Sequence, residues 1–186
     1  MSVPTGLARR PHQPKEFPRD LQTGGRSSLT SRGLRYFNAA QPFLNMSYET
    51  IHPGEASPRL DEADYCYIDV RSVPEYEAGH VPGAYNIPLL HMTPAGMQPN
   101  EGFVEAMERH FEKDAKLILG CKIGGRSGRA CELLAGMGYS KLVNMDGGFS
   151  GRYDEAGELL VEGWAGRGLP VTTTPESGRT WSELGG

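Results

Sequence analysis

The residue whose surroundings most suggest chemistry is Cys121. It follows the short apolar run 117–119, and the loop 121–126 leads from it into helical sequence that begins at Ser127. A cysteine between a strand end and a helix N-terminus faces unpaired backbone N–H groups and the positive end of the helix dipole. Both favour the thiolate, which is the nucleophilic form of the side chain. The alternative is a strand-end cysteine that only fills the core.

The rest of the loop suits an anionic sulfur. Glycines allow a backbone curl in which several N–H groups converge on one point, and such a nest binds anions. Arg126 and Lys122 add positive charge, and Ser127 is expected to cap the helix. The predicted substrate-binding residues are therefore Lys122, Ile123, Gly124, Gly125, Arg126 and Ser127.

Short strands and helices alternate around this loop. The apolar and β-branched content predicts strands at 48–52, 65–70, 85–88, 117–119 and 142–145, and helices at 53–62 (broken or kinked by Pro58), 74–78, 101–112 and 127–137. This alternation predicts an α/β fold with a central parallel sheet and helices on both faces. Ligands of such sheets bind beyond the carboxyl ends of the strands, where Cys121 falls.

The chain of 186 residues suits one domain with extensions. We expect the domain at residues 46–173, an appended hairpin at about 153–164 and a loose polar tail at 174–186. Residues 1–45 carry a net charge of +5, whereas residues 46–186 carry −9. The Pro- and Arg-rich segment 1–45 is predicted to be disordered, or to precede a true start at Met46. An organelle transit peptide is the other reading, although four prolines oppose its helix.

Composition restricts the functional classes. Apolar residues make up 38% of the chain and charged residues 23%, which allows a globular core. Three cysteines are an odd number and suggest no disulfide framework, so a reducing, cytoplasmic setting is expected. No apolar run approaches the roughly 20 residues of a membrane span. Neither a membrane nor a nucleic acid is an expected partner, since the basic segment carries no nucleic-acid-binding motif.

Four segments in order resemble the rhodanese family of sulfurtransferases. They are Tyr67-Ile68-Asp69-Val70-Arg71 with Glu75-Tyr76, Gly79-His80-Val81-Pro82-Gly83-Ala84-Tyr85-Asn86-Ile87-Pro88, Cys121-Lys122-Ile123-Gly124-Gly125-Arg126-Ser127, and Asn144-Met145-Asp146-Gly147-Gly148-Phe149. The resemblance covers about residues 47–173. The chain departs from it after Gly148, where a tryptophan common in the family is missing and the predicted hairpin is inserted.

The resemblance implies a mechanism. Cys121 would take a sulfane sulfur from a small anionic donor such as thiosulfate and become a persulfide. The outer sulfur would then pass to a thiol, to cyanide or to a protein acceptor. The family uses no metal and no dissociable cofactor, so none is expected here.

The resemblance also suggests roles for other residues. Asp69 and Arg71 match positions that flank the site, either as direct contributors or as a structural ion pair. His80 is expected to fix a turn rather than act as a base. Arg126 is expected to bind the donor anion, with closure of the loop as the alternative, and Arg129 is expected to be a solvated charge.

Two other functions remain open. Some cysteine phosphatases use a related strand–loop–helix cysteine, but their loops place five residues between cysteine and arginine. Here only four residues separate Cys121 from Arg126, which makes a smaller cradle. The second alternative is a sulfur-relay or binding module that receives persulfide sulfur from a partner protein.

Overall fold

The computed structural model describes residues 48–62 and 64–185. The strands are β1 (Glu49–Ile51), β2 (Tyr65–Asp69), β3 (Tyr85–Asn86), β4 (Leu90–Thr93), β5 (Gly96–Pro99), β6 (Lys116–Gly120), β7 (Leu142–Met145), β8 (Arg152–Tyr153) and β9 (Leu159–Val161). The helices are α1 (Pro53–Asp61), α2 (Val73–Glu77), α3 (Phe103–His110), α4 (Gly125–Gly136) and α5 (Trp181–Leu184). The predictions for residues 1–45 and for a start at Met46 lie outside the described residues.

The central sheet has five parallel strands in the order β1-β7-β6-β2-β3. Its middle strand β6 is paired along its whole length with β2, so that Asp69 lies opposite Gly120. The carboxyl ends of both strands therefore meet at one edge, directly beside Cys121. The predicted parallel α/β sheet is confirmed.

Both faces of the sheet are covered, because successive strand side chains point to opposite faces. Tyr67, Ile118 and Val143 face one core, together with Ala56 of α1 and Tyr76 of α2. The alternating strand residues face a second core, which contains Phe103 and Met107 of α3 and Ala130 and Leu134 of α4 among its buried members. This arrangement fixes α4, and the loop before it, against the edge that carries Cys121.

Three local features differ from the sequence predictions. Helix α1 continues through Pro58, so the helix is not broken there. Helix α4 begins at Gly125, so Ser127 lies inside its first turn and is not the N-cap. Strands β4 and β5 form an unpredicted antiparallel hairpin, whose turn places Gly96 at φ 101°.

The segment after the sheet has two parts. Strands β8 and β9 form an antiparallel hairpin in the expected region. In the tail after residue 173, residues 174–178 are exposed, whereas Leu184 is 3% exposed and belongs to the core beside α3. The backbone N–H of Asn86 donates to the carbonyl of Arg179 at 2.8 Å, which ties the tail to β3. Within the described residues no helix is long and apolar enough to cross a bilayer.

Candidate active site

Cys121 lies where β6 ends, and its side chain points into the loop rather than into solvent. The residue is 1% exposed. Its Sγ accepts a hydrogen bond from the backbone N–H of Gly124 at 3.1 Å, and the hydroxyl of Ser127 lies 3.5 Å away. The sulfur therefore sits against the N-terminus of the 12-residue helix α4, in a position that favours negative charge.

The curl of the loop requires glycine at position 124. Gly124 is the N-cap of α4 and has φ 105°, a left-handed conformation that costs other residues strain. A Cβ at this position would also lie 2.9 Å from Oδ1 of Asp146. The glycine lets the chain turn into the helix within three residues of Cys121.

The segment that follows β7 holds the Cys121 loop through backbone hydrogen bonds. The N–H groups of Phe149 and Ser150 donate to the carbonyls of Cys121 and Lys122, each at 2.8 Å. Gly148 has φ 53°, and a Cβ there would lie 2.4 Å from the carbonyl oxygen of Cys121. Gly148 thus allows the backbone that follows β7 to approach the Cys121 loop closely.

Asn144 belongs to the site, although no role for it was predicted from the sequence. Its Oδ1 accepts a hydrogen bond from Ser127 at 2.6 Å, and Ser127 is fully buried. The same hydroxyl lies 3.5 Å from Sγ of Cys121, but its one proton goes to Asn144 in the shorter bond, so Asn144 fixes the position of Ser127 beside the sulfur. A buried polar residue in an otherwise apolar strand was the signal that could have found it.

Glu75 is a second residue without an assigned role, and it pairs with Arg126. Both terminal nitrogens of Arg126 donate to its carboxylate, each at 2.7 Å. The N–H and hydroxyl of Ser72 donate to the same carboxylate, at 3.0 and 2.7 Å. Partial burial raises the pKa of Glu75, but the bonds from Arg126 and Ser72 outweigh this and hold the pKa at about 2.

This pair bears on the expected role of Arg126. The guanidinium joins the first turn of α4 to the start of α2, with both side chains about 19% exposed. A donor anion would compete with Glu75 for its terminal nitrogens. The geometry therefore matches the alternative role, closure of the loop.

Asp69 and Arg71 form a buried ion pair beside the loop. Nη2 of Arg71 lies 2.6 Å from Oδ2 of Asp69 and 2.8 Å from the carbonyl oxygen of Gly79. The guanidinium also stacks over the ring of Phe149, 4.2 Å from its centroid. Since the N–H of Phe149 holds the carbonyl of Cys121, this pair supports the loop indirectly.

His80 has the contacts of a structural residue. Its Nδ1 lies 2.9 Å from the carbonyl oxygen of Tyr76, and its ring stacks on the Tyr76 ring at 3.7 Å between centroids. Its backbone exchanges two hydrogen bonds with Thr172, at 2.8 and 2.9 Å. These contacts match the expected turn-fixing role.

The remaining predicted residues lie on the exposed surface of the Cys121 loop and of α4. Lys122, Ile123 and Gly125 are exposed, and Arg129 is exposed on the surface of α4. Lys122 thus supplies positive charge beside the loop, while Arg129 lies one helical turn beyond Gly125.

The other two cysteines have different surroundings. Burial, together with the nearby Glu132 carboxylate, raises the pKa of Cys131 to about 12. Burial also raises the pKa of the half-buried Cys66. Both thiols stay protonated at neutral pH, as expected for packing residues. Among the described residues, no group of three or more His, Cys, Asp or Glu side chains could hold a metal ion.

Comparison with known proteins decides the family. A model of the rhodanese-like domain matches residues 52–155, which include all four segments of the candidate site. The chain belongs to the rhodanese-like domain family. The resemblance inferred from the motifs is confirmed, and the family includes proteins named as sulfurtransferases.

Rhodanese-like relatives match this chain at modest identity. Thiosulfate sulfurtransferase 16, chloroplastic, of Arabidopsis thaliana is 34% identical over 109 residues, which are 59% of this chain and 81% of that protein. A sulfurtransferase of Allochromatium vinosum is 29% identical, over 62% of this chain and 86% of that protein. Three further Arabidopsis relatives are matched over only 65%, 52% and 65% of their own lengths.

Solved rhodanese-like structures show the same fold. The crystal structure of Rv0390 from M. tuberculosis superposes with a TM-score of 0.56 at 27% identity, covering 69% of this chain and 100% of that one. The names of several relatives place those proteins in chloroplasts or mitochondria. The cytoplasmic location of this chain stays a prediction.

Proposed function

We propose that this rhodanese-like protein transfers a sulfane sulfur through a persulfide on Cys121. The observation that carries the proposal is the position of Sγ, which is held at 3.1 Å by the N–H of Gly124 at the N-terminus of α4. This arrangement stabilises a sulfur anion before and after it gains a second sulfur.

The first half-reaction uses thiosulfate or a similar small anionic donor. The Cys121 thiolate attacks the sulfane sulfur of thiosulfate, a Cys121 S–S bond forms, and the S–S bond of thiosulfate breaks. Sulfite leaves with the bonding electron pair. Lys122 and the loop N–H groups favour the approach of the anion, while Arg126 stays paired with Glu75 and holds the loop closed.

The second half-reaction restores the enzyme. Cyanide or a thiolate attacks the outer sulfur of the persulfide, and the Cys121 thiolate leaves with the electron pair. The products are thiocyanate or a new persulfide. The chemistry needs no metal or cofactor, because each step exchanges one nucleophile for another at sulfur.

The test is thiosulfate:cyanide sulfurtransferase activity, followed as thiocyanate release. We expect wild-type turnover and a loss of about a thousandfold or more in Cys121→Ser, because the hydroxyl cannot act as the sulfur carrier. Cys131→Ser is the matched control and should retain activity. A folded wild type without turnover would overturn thiosulfate as donor and favour a relay that receives its sulfur from a partner protein. Hydrolysis of a phosphate ester by the wild type would favour the alternative of a cysteine phosphatase.

A further inference from the structure

The β8–β9 hairpin is attached to the Cys121 loop. Ser150, which bonds to the carbonyl of Lys122, stands two residues before β8. Arg152 of β8 donates to the Asp146 carboxylate at 3.0 and 2.8 Å, and that carboxylate packs against Gly124. The hairpin base therefore lies next to the loop that carries the nucleophile.

The two faces of this hairpin differ. Arg152 and its cross-strand partner Val161 face inward, and Val161 packs against Gly147. Tyr153 and its partner Leu159 share the outer face, with exposed fractions of 55% and 51%. Leu160 lies at the irregularity between the paired residues and is 54% exposed. We call Tyr153 and Leu159 the hairpin face.

The turn beside the hairpin face is acidic. The Asp154 carboxylate accepts the N–H groups of Ala156 and Glu158, at 2.9 and 2.8 Å, and so shapes the turn. Glu155 and Glu158 are exposed, and neither forms an ion pair within the described part of the chain. Two exposed apolar side chains thus lie next to two carboxylates that have no ion-pair partner among the described residues, a pattern typical of a protein-binding surface.

We propose that the hairpin face docks a protein that presents its sulfur-accepting cysteine among apolar and basic residues. The apolar side chains would pack against the hairpin face, and the basic residues would meet Glu155 and Glu158. This inference rests on the proposed persulfide chemistry and specifies its acceptor. Small acceptors such as cyanide need no contact with the hairpin.

The experiment uses two blocked peptides as thiol acceptors, Lys-Leu-Cys-Leu-Lys and Glu-Leu-Cys-Leu-Glu, with thiosulfate as donor. The peptide thiolate takes the outer sulfur from Cys121 and becomes a persulfide, which is alkylated and measured by mass spectrometry. Flanking charges alter the thiol reactivity of each peptide. The informative quantity is therefore the ratio of the two kcat/KM values, compared between variants.

We expect Glu155→Lys with Glu158→Lys to lower the basic-to-acidic ratio about tenfold, because two attractive charges become repulsive. Raising the salt concentration to about 0.5 M should also lower the basic-to-acidic ratio of the wild type, because salt screens the attraction between charges. Tyr153→Ser with Leu159→Ser should lower kcat/KM about threefold or more for both peptides, because the apolar contact is lost. All variants should keep wild-type turnover with cyanide.

The matched control replaces Glu62 and Asp114 with lysine, which reverses both charges. Both residues are exposed, and they precede β2 and β6, at the sheet edge opposite Cys121. This double variant should leave the ratio unchanged, whereas a fall equal to that of the hairpin variant would indicate only net charge and overturn the proposal.

Two further outcomes would also overturn the docking proposal. One is an unchanged peptide ratio in hairpin variants that remain active with cyanide. The other is a wild-type dimer in sedimentation that dissociates in Tyr153→Ser with Leu159→Ser, since a second copy would then occupy the face. Absence of cyanide turnover in the wild type would instead overturn thiosulfate as the donor in the proposed function.

Discussion

At the scale of single residues, the candidate site depends on side chains that hold the nucleophile without reacting. Ser127 links Cys121 to Asn144, and Glu75 links Arg126 to the start of α2. A thiolate needs a fixed set of donors, because each misplaced hydrogen bond weakens the stabilisation of the anion. Substitution of these residues is therefore expected to lower the rate of sulfur transfer and the free energy of unfolding.

Ser127→Ala should reduce both stability and activity. It removes the 2.6 Å hydrogen bond to Asn144 and leaves a buried acceptor unpaired, at a cost of about 1–3 kcal/mol. The hydroxyl contact with Cys121 is longer, at 3.5 Å, so kcat/KM with thiosulfate should fall about threefold to tenfold. Urea unfolding and the cyanide assay measure the two effects. Ser140→Ala, an exposed serine change, should be neutral; equal losses in both variants would contradict the role.

Glu75→Gln should remove part of the acid sensitivity of folding. The pKa of Glu75 is lowered from 4.5 to about 2, so its stabilisation is complete above the unfolded pKa and is lost as pH falls from about 4.5 towards 2. The wild type should lose about 1–3 kcal/mol more than the variant across this window.

Urea unfolding at several pH values between 2 and 7 measures this difference. Glu105→Gln is the control, because its pair with Arg109 is exposed, at 74% and 43%, and should contribute little. Wild-type and Glu75→Gln curves that stay parallel throughout would refute the ion-pair contribution.

At the scale of elements, the site is assembled where β6, α4 and the segment after β7 converge. The left-handed glycines at 124 and 148 make this convergence possible, because each removes a Cβ from a close approach of two backbones. The loop geometry is thus a property of three elements together, and a change in one should disturb the nucleophile held by another.

Gly148→Ala should disrupt the loop. Its Cβ would lie 2.4 Å from the carbonyl oxygen of Cys121, so one backbone must move. We expect a loss of about 3 kcal/mol or more in unfolding free energy and a large loss of turnover. Gly157→Ala, at φ 83° with open space around it, should cost only about 1 kcal/mol and keep activity. Equal stability of the two variants would contradict the close approach.

At the scale of the whole molecule, the sheet edge carries the chemistry and the sequence beyond the family match completes the core. The match ends at residue 155, yet Trp164 is 3% exposed in one core and Leu184 is 3% exposed in the other. His110 of α3 lies 3.0 Å from the carbonyl oxygen of Leu184 through its Nε2. The C-terminal segment is part of the folded unit.

Leu184→Ala should therefore destabilise the protein by about 2–4 kcal/mol, as expected for truncation of a buried leucine. Leu133→Ala provides the comparison, since Leu133 is 43% exposed on α4 and should change stability by under about 1 kcal/mol. Thermal and urea unfolding measure both. A neutral Leu184→Ala would indicate that the tail is not docked in solution.

The family, the parallel α/β sheet and the position of Cys121 between strand and helix were all predictable from the sequence. These features depend on local patterns: the alternation of apolar segments, glycines at fixed offsets and a cysteine at a strand end. They could be predicted because each pattern lies within a few consecutive residues.

Contacts between side chains that are distant in sequence are visible only in the folded chain. Glu75 and Arg126 are 51 positions apart, and Asn144 is 17 positions from Ser127, so no local pattern pairs them. The packing of the end of the tail could not be predicted for the same reason, because Trp181 and Leu184 are two isolated apolar residues in a polar segment. Burial depends on what the folded chain brings against a residue, and that information lies in the three-dimensional arrangement of distant segments.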